Sequence, residues 1–254
     1  MNLRQGDAGA IADLRARLET VHETVDRALA RAGRPAGSVT VVGVSKTVPA
    51  AVVRAAFVAG LRHVGENRIQ EGRQKQADLA DLPLTWHLVG HLQRNKVRYV
   101  VGSWALVHSL DRLPLAEELD RRARRAGVVV DCLVQVNVGG EATKSGVAPD
   151  GLLPLLESLV PLEAIRVRGL MTIPPPAGDP ERVRPYFAAL RRLAERAAQA
   201  FPGRPGDTGP AARIRMEHLS MGMSSDYPVA VEEGATIIRV GEALFGPRSA
   251  WEGS

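Results

Sequence analysis

Hydrophobic positions recur along this chain with two alternating periods. Ile11, Leu14, Leu18, Val21, Val25 and Leu29 step by three and four, which predicts an amphipathic helix over residues 8–32, ended by Gly33 and Pro35. The pattern then tightens. Val39-Thr40-Val41-Val42-Gly43-Val44-Ser45 is a β-branched run of the kind that forms a buried strand. It stops at Lys46-Thr47-Val48, and Pro49 suits the first turn of a helix, where its missing N–H has no partner to lose. An alanine-rich helix over 50–59 follows. From there short apolar runs alternate with helical stretches. Strands are predicted over 63–67, 85–90, 106–109, 132–137, 167–172, 218–222 and 236–241. Helices are predicted over 69–79, 113–126, 152–159, 183–200, 228–233 and 242–246, with another opening at 91–96, and the Gly- and Pro-rich stretch 203–212 reads as a surface loop.

About eight strands alternating with helices, each strand turning polar or glycine-rich at its C-terminal end, predict an α/β fold. The specific expectation is a single (β/α)8 TIM barrel with an extra N-terminal helix, one domain over residues 1–254, a length close to the ~250 typical of that barrel. A doubly wound open sheet is the rival; the absence of G-x-G-x-x-G after the first strand weighs against it.

Composition narrows the function classes. Hydrophobic residues at 45% and charged residues at 24% are ordinary for a soluble globular protein. Cys132 is the sole cysteine, so no intrachain disulfide or cysteine metal cluster is expected. No histidine pair has ligand spacing with a carboxylate, and no metal site is predicted. No apolar run approaches the ~20 residues of a membrane span. Residues 1–10 lack the basic and apolar regions of a signal peptide, which predicts a cytoplasmic protein. The net charge of +5 and pI near 9.9 raise nucleic acid as a partner. Against it, the arginines are scattered and aromatics are only 4%. The densest group, Arg121-Arg122-Ala123-Arg124-Arg125, falls late in a predicted helix, where cations suit the dipole. An anionic small ligand fits the charge equally well.

The candidate chemistry gathers at strand ends, where parallel α/β folds bind ligands. Only four of the 33 basic residues are lysines, and one of them, Lys46, stands at the tip of the most apolar strand. A desolvated lysine can lose its proton and attack a carbonyl, which arginine cannot; the plain alternative is a lysine that reaches solvent. Ser220-Met221-Gly222-Met223-Ser224-Ser225-Asp226 and Arg239-Val240-Gly241-Glu242 each bring a glycine to the start of a predicted helix. Such turns suit phosphate, and barrels often hold it after strands seven and eight. Asp226 is expected to cap its helix rather than touch phosphate. Arg239 emerges from an apolar strand and needs an acceptor, either a barrel carboxylate or a ligand. Asn67, His87 and Asn137 lie at or near their strand ends and could reach the same mouth. A Schiff-base lysine, a phosphate cradle and an arginine suggest pyridoxal 5'-phosphate (PLP), which offers an aldehyde, a phosphate and a ring nitrogen.

With these residues in place, the sequence resembles the YggS/PROSC family of pyridoxal phosphate homeostasis proteins. The resemblance rests on Val42-Gly43-Val44-Ser45-Lys46-Thr47, His63-Val64-Gly65-Glu66-Asn67, the run from Trp86 through Lys96, Lys144-Ser145-Gly146 and Arg168-Gly169-Leu170-Met171. It continues in Leu219-Ser220-Met221-Gly222-Met223-Ser224 and the run from Arg239 through Gly246. It implies a barrel of the alanine-racemase N-terminal type, with Lys46 forming an internal aldimine with PLP. Ser224 and backbone groups around Met223, Gly241 and Glu242 would hold the phosphate, and Arg239 would face the pyridine nitrogen. Asn67 and His87 would line the pocket. Some relatives carry threonine or serine where Glu242 stands; a carboxylate cannot donate to phosphate, so here its backbone N–H is the group assigned.

The resemblance also implies a protein that buffers or delivers intracellular PLP, with no catalytic residue and no established turnover. Apo PLP-dependent enzymes are the expected recipients, and a monomer is expected. The alternative is a small PLP-dependent racemase-like enzyme. Racemases of this fold take a second acid/base, a tyrosine, from an additional C-terminal domain, which is not expected in a chain ending at Ser254; Tyr227, beside the phosphate turn, is the tyrosine to follow. A third reading is a phosphosugar-type barrel using Lys46 as an aldolase-like base, without a cofactor.

Overall fold

The computed structural model describes residues 5–141, 143–202 and 209–247. After helix α1 (Gln5–Arg31) the chain runs β1 (Thr40–Val44), α2 (Ala50–Ala59), β2 (His63–Glu66), α3 (Ile69–Asp78), β3 (Thr85–Leu88) and a 3-10 helix at Arg94–Tyr99. It continues β4 (Leu106–Leu110), α4 (Leu113–Ala126), β5 (Val130–Gln135), α5 (Leu152–Leu159), β6 (Ile165–Met171) and α6 (Arg184–Ala200). The last units are β7 (Ile214–Ser220), α7 (Tyr227–Glu232), β8 (Ile237–Val240) and α8 (Glu242–Phe245). The strands form one closed barrel in sequence order, and β8 pairs in parallel with β1, Val42 opposite Arg239 and Gly43 opposite Val240. The expected (β/α)8 barrel with an N-terminal helix is the observed architecture.

Period-two alternation sorts the strand residues between two cores. Val42, Leu106, Leu133, Met171 and Ile237 meet inside the barrel. Their neighbours Val41, Val107 and Ile238 face outward into the larger core between barrel and helices. The same parity places His87, His108, Ser220 and Arg239 on the inner face, and all four are buried.

Helix α1 buries Leu14, Leu18, Val21, Val25 and Leu29. It lies against α2, α7 and α8, outside the seam where β8 meets β1. Arg31 Nε donates to Glu232 Oε1 at 2.6 Å, and Arg34 Nη1 to the Val231 carbonyl at 2.5 Å, fixing the helix end to α7.

Several boundaries differ from expectation. The segment after β3 is a 3-10 helix, and β5 begins at Val130 and stops at Gln135, leaving Asn137 beyond it. Strand β6 begins at Ile165 and β7 at Ile214, four residues ahead of the predicted start of β7. The early part of β7 hides in the sequence because charged residues, Arg215 and Glu217, alternate with Ile214 and Met216, which pack into the outer core. Arg168 Nε donates to Glu217 Oε2 at 2.8 Å, and Arg166 Nε to Asp131 Oδ1 at 2.6 Å, so ion pairs replace the apolar side chains that mark a strand. Of the predicted loop 203–212, residues 203–208 lie outside the described residues, and a 3-10 turn runs over Pro210–Arg213.

Candidate functional site

The C-terminal ends of the strands open into a cavity of about 560 Å³. Lys46, Asn67, Met223, Ser224, Arg239, Gly241 and Glu242 all line it, together with Val44, Val89, His91, Gln135, Lys144, Ser145 and Ile173. Seven of the eight residues expected at a cofactor site are thus brought together, and His87 is not among them.

Lys46 occupies the turn between β1 and α2, and the residues on either side of it are clamped. Ser45 Oγ donates to Glu66 Oε1 at 2.5 Å, and the Thr47 N–H donates to Glu71 Oε1 at 2.6 Å. Lys75, from α3, joins both carboxylates: its Nζ donates to Glu66 Oε1 at 2.7 Å, to Glu71 Oε1 at 2.7 Å and to the Ser45 carbonyl at 2.5 Å. Burial pushes the Glu66 carboxyl up, against the opposing pull of Lys75. Thr47 is the one non-glycine among the described residues with positive φ, at 66°. For a β-branched residue that conformation is strained and must be held by its surroundings.

The two turns that follow β7 and β8, beside the lysine turn in the barrel order, are stitched together. The Gly241 and Ala243 N–H groups both donate to Ser224 Oγ, each at 3.1 Å, and the Arg239 N–H donates to the Gly222 carbonyl at 3.0 Å. Gly222 has φ of 93°, and a Cβ there would stand 2.6 Å from Ala230 Cβ, so the turn admits no side chain. Contrary to the expectation from the sequence, Asp226 stands at the N-cap position of α7 but its side chain makes no capping bond to the helix. Its Oδ1 accepts from the Met223 N–H at 2.6 Å, closing the turn that precedes the helix. Burial raises its carboxyl above the ordinary range.

Arg239 is buried at 4% exposure, yet it makes no ion pair among the described residues. Its Nη1 donates to Ser220 Oγ at 2.7 Å and its Nη2 to the Thr172 carbonyl at 2.9 Å. Burial pushes the guanidinium down to about 10, and the carboxylate of Asp226 acts against that shift; the group stays cationic at neutral pH.

His87 lies within the barrel rather than on the cavity wall. Its ring stands 3.0 Å from both His63 Nδ1 and His108 Nε2. Burial pushes it down to about 3, helped by His63 and His218. The reason is depth. His87 is on the inner face of β3, and Val89, two residues further along that face, is the one that reaches the cavity with Gly90 and His91. Asn137 is also absent from the wall: its Nδ2 donates to the Glu141 carbonyl at 2.9 Å and secures the loop after β5. Tyr227 is buried at the start of α7 and does not line the cavity.

Sequence reasoning missed the acceptors of Arg239, Ser220 and Thr172, and the clamp of Glu66, Glu71 and Lys75 around the lysine turn. Lys75 carries a signal in hindsight: it is another of the four lysines, four residues beyond Glu71 on a helix, the spacing of an ion pair. The wall residues His91 and Ser145, whose Nδ1 and Oγ stand 3.1 Å apart, come from loops too distant in sequence to be paired by pattern.

Comparison with known proteins identifies the family. The model of the alanine racemase N-terminal domain family matches residues 17–249. A pyridoxal phosphate homeostasis protein of Aquifex aeolicus is 47% identical over 232 residues, 91% of this chain and 97% of the relative. One of Pseudomonas aeruginosa is 43% identical over 239 residues, with the same coverage of 91% and 97%. The solved structure of PipY from Synechococcus elongatus with PLP bound has a TM-score of 0.76 at 41% identity, covering 92% of this chain and 100% of that one. An alanine racemase of Clostridium difficile shares the fold alone, with a TM-score of 0.69 at 15% identity, covering 93% of this chain and 60% of the racemase. By its sequence across nearly the whole barrel, the chain belongs to the pyridoxal phosphate homeostasis proteins of the alanine racemase N-terminal domain family.

Proposed function

We propose that this protein binds PLP in the barrel mouth, attached covalently through Lys46, and serves cofactor homeostasis by buffering PLP or delivering it. The observation that carries the reading is the convergence of Lys46, the Ser224–Gly241–Ala243 cradle and Arg239 on one cavity. The residues fit the group. Lys46 provides an amine for the aldehyde, Ser224, whose oxygen holds the Gly241 and Ala243 N–H groups, keeps its hydroxyl hydrogen for a phosphate, and Arg239 provides a donor for the ring nitrogen. Glu242 contributes through its backbone, and Asn67, after β2, lines the wall on the side of Lys46 away from Arg239. When bound, PLP supplies an electrophilic carbon, and an arginine rather than an aspartate at its nitrogen keeps the ring a poorer electron sink.

The protein's own groups favour holding over turnover. Racemization needs an acid/base on each face of the substrate. None of the three tyrosines lines the cavity: Tyr227 is buried in α7, Tyr99 lies beneath the guanidinium groups of Arg73 and Arg98, and Tyr186 belongs to α6. The same reading assigns apo PLP-dependent enzymes as recipients, a monomeric state and a cytoplasmic location. It is consistent with the absence, among the described residues, of any helix long and apolar enough to cross a membrane.

Two assays on the PLP-loaded protein test the reading. Transfer of PLP to an apo-enzyme, followed as recovered activity, is expected. Exchange of the α-proton of alanine and other amino acids with deuterated solvent is expected to stay at the rate of free PLP. Rapid exchange without transfer would replace the carrier reading with the racemase-like one.

A further inference from the structure

The barrel interior holds a column of polar groups that the cavity wall does not include. His63 Nδ1 stands 3.0 Å from His87 Nε2, and His87 Nδ1 stands 3.0 Å from His108 Nε2. His108 Nδ1 lies 2.9 Å from Ser220 Oγ, which is the oxygen that accepts from Arg239 Nη1. The column therefore runs from His63, the half-buried first residue of β2, to the arginine at the cavity floor.

Its direction follows from donor and acceptor chemistry. A guanidinium has only donors. Ser220 Oγ accepts from Arg239, and because its hydrogen has no other acceptor among the described residues, the buried hydroxyl satisfies it by donating to His108 Nδ1. That nitrogen is then an acceptor, so a neutral His108 carries its proton on Nε2 and donates to His87 Nδ1. The step repeats, and His87 donates from Nε2 to His63 Nδ1. One cation dictates the state of three rings. Burial lowers all three histidines, with the neighbouring rings and Arg239 adding to the effect at His108, so the neutral form is the one the column holds.

Aligned in this way, each ring turns its lone-pair nitrogen toward Arg239. We propose that His63, His87 and His108 form a one-way column of neutral Nε2–H tautomers that positions Arg239 and acts as a counter-dipole for its buried charge. The arrangement is a side-chain analogue of a helix C-terminus facing a cation. It adds to the through-space pull of the Asp226 carboxylate, since Arg239 is buried, makes no direct ion pair among the described residues, and donates to two neutral oxygens. The link from the column to the cofactor rests on the reading of Arg239 as the partner of the PLP ring nitrogen; the column itself does not.

Long-range proton–nitrogen correlation spectra of the full chain, labelled at its six histidines and recorded at neutral pH without cofactor, test the proposal. Neutral Nε2–H signatures are expected at His63, His87 and His108. Ser220→Ala is expected to abolish the single tautomer at His108 and to weaken PLP binding about tenfold, while Ser220→Thr, which keeps the hydroxyl, restores both. An Nδ1–H tautomer or a doubly protonated ring at His87 or His108 in the wild-type protein overturns the proposal. So does a Ser220→Ala variant with an unchanged His108. Should either variant fail to fold, the wild-type spectrum decides alone. If the expected tautomers appear but the wild-type protein binds no PLP, the column stands and the cofactor reading falls.

Discussion

Lys46 sits between two residues whose positions are fixed by buried or half-buried carboxylates, and Ser224 collects two N–H groups where the turns after β7 and β8 meet. Those two residues define the ends of the site, and they separate experimentally. Ser224→Ala is expected to weaken PLP binding by roughly tenfold, the scale of a hydrogen bond to a charged group. It should leave binding of unphosphorylated pyridoxal unchanged. Titration of both compounds checks this, and an equal loss for the two would show that Ser224 acts on folding rather than on phosphate. At this scale the sequence was informative where chemistry and strand position coincide. Lys46, Arg239 and the 222–224 turn could be read because a lysine or arginine at an apolar strand end, or a glycine before hydroxyls, has few structural uses. His87 could not be placed, because alternation tells which face of β3 it occupies but not how deep below the mouth it lies. Asp226 was misjudged since a residue before a helix can bond backward into its own turn as readily as forward.

Among the elements, α1 is held to the outside of the barrel by a continuous buried face. Leu18 is 5% exposed, and a Cβ on Gly60, at the end of α2, would lie only 3.6 Å from its Cδ2. Leu18→Ala should therefore lower stability by about 2–5 kcal/mol. Because α1 packs on the outer surface at the β8–β1 seam, PLP affinity of the folded protein should hardly change. Denaturant unfolding and cofactor titration together check this; an unchanged stability would mean that α1 is not part of the cooperative fold. Helical periodicity made α1 legible to within three residues at its start and one at its end. The barrel's existence was legible too, from eight short runs punctuated by polar ends. What periodicity could not give was where β5, β6 and β7 begin. Their first residues carry Asp131, Arg166, Arg168 and Glu217, whose cross-strand pairs do the work that apolar side chains do elsewhere.

For the molecule as a whole, the buried histidines tie stability to pH. His63, His87, His108 and His218 are all lowered from the ordinary histidine value, chiefly by burial. The unfolded chain therefore binds more protons once pH falls below about 6.5, and stability must decrease as pH falls. Each buried ring contributes a slope of up to ~1.4 kcal/mol per pH unit over that window, which for His87 extends down to about 3. Glu66 and Asp226, both raised by burial, act in the opposite sense as pH falls further, so the histidine slope is cleanest just below about 6.5. Denaturant unfolding across that range should show a steady loss; a flat or rising curve would mean that the interior rings are not held neutral.

The central claim is that the barrel mouth captures PLP through Lys46, and the absorption spectrum of the purified protein tests it most directly. Addition of PLP to the wild-type protein should give an absorption band distinct from that of free PLP, and borohydride should fix the cofactor to the peptide containing Lys46. In Lys46→Ala the band should be lost or shifted and nothing should be fixed at that position. A wild-type spectrum that is only the sum of protein and free PLP would contradict the account and return Lys46 to an aldolase-like or surface role.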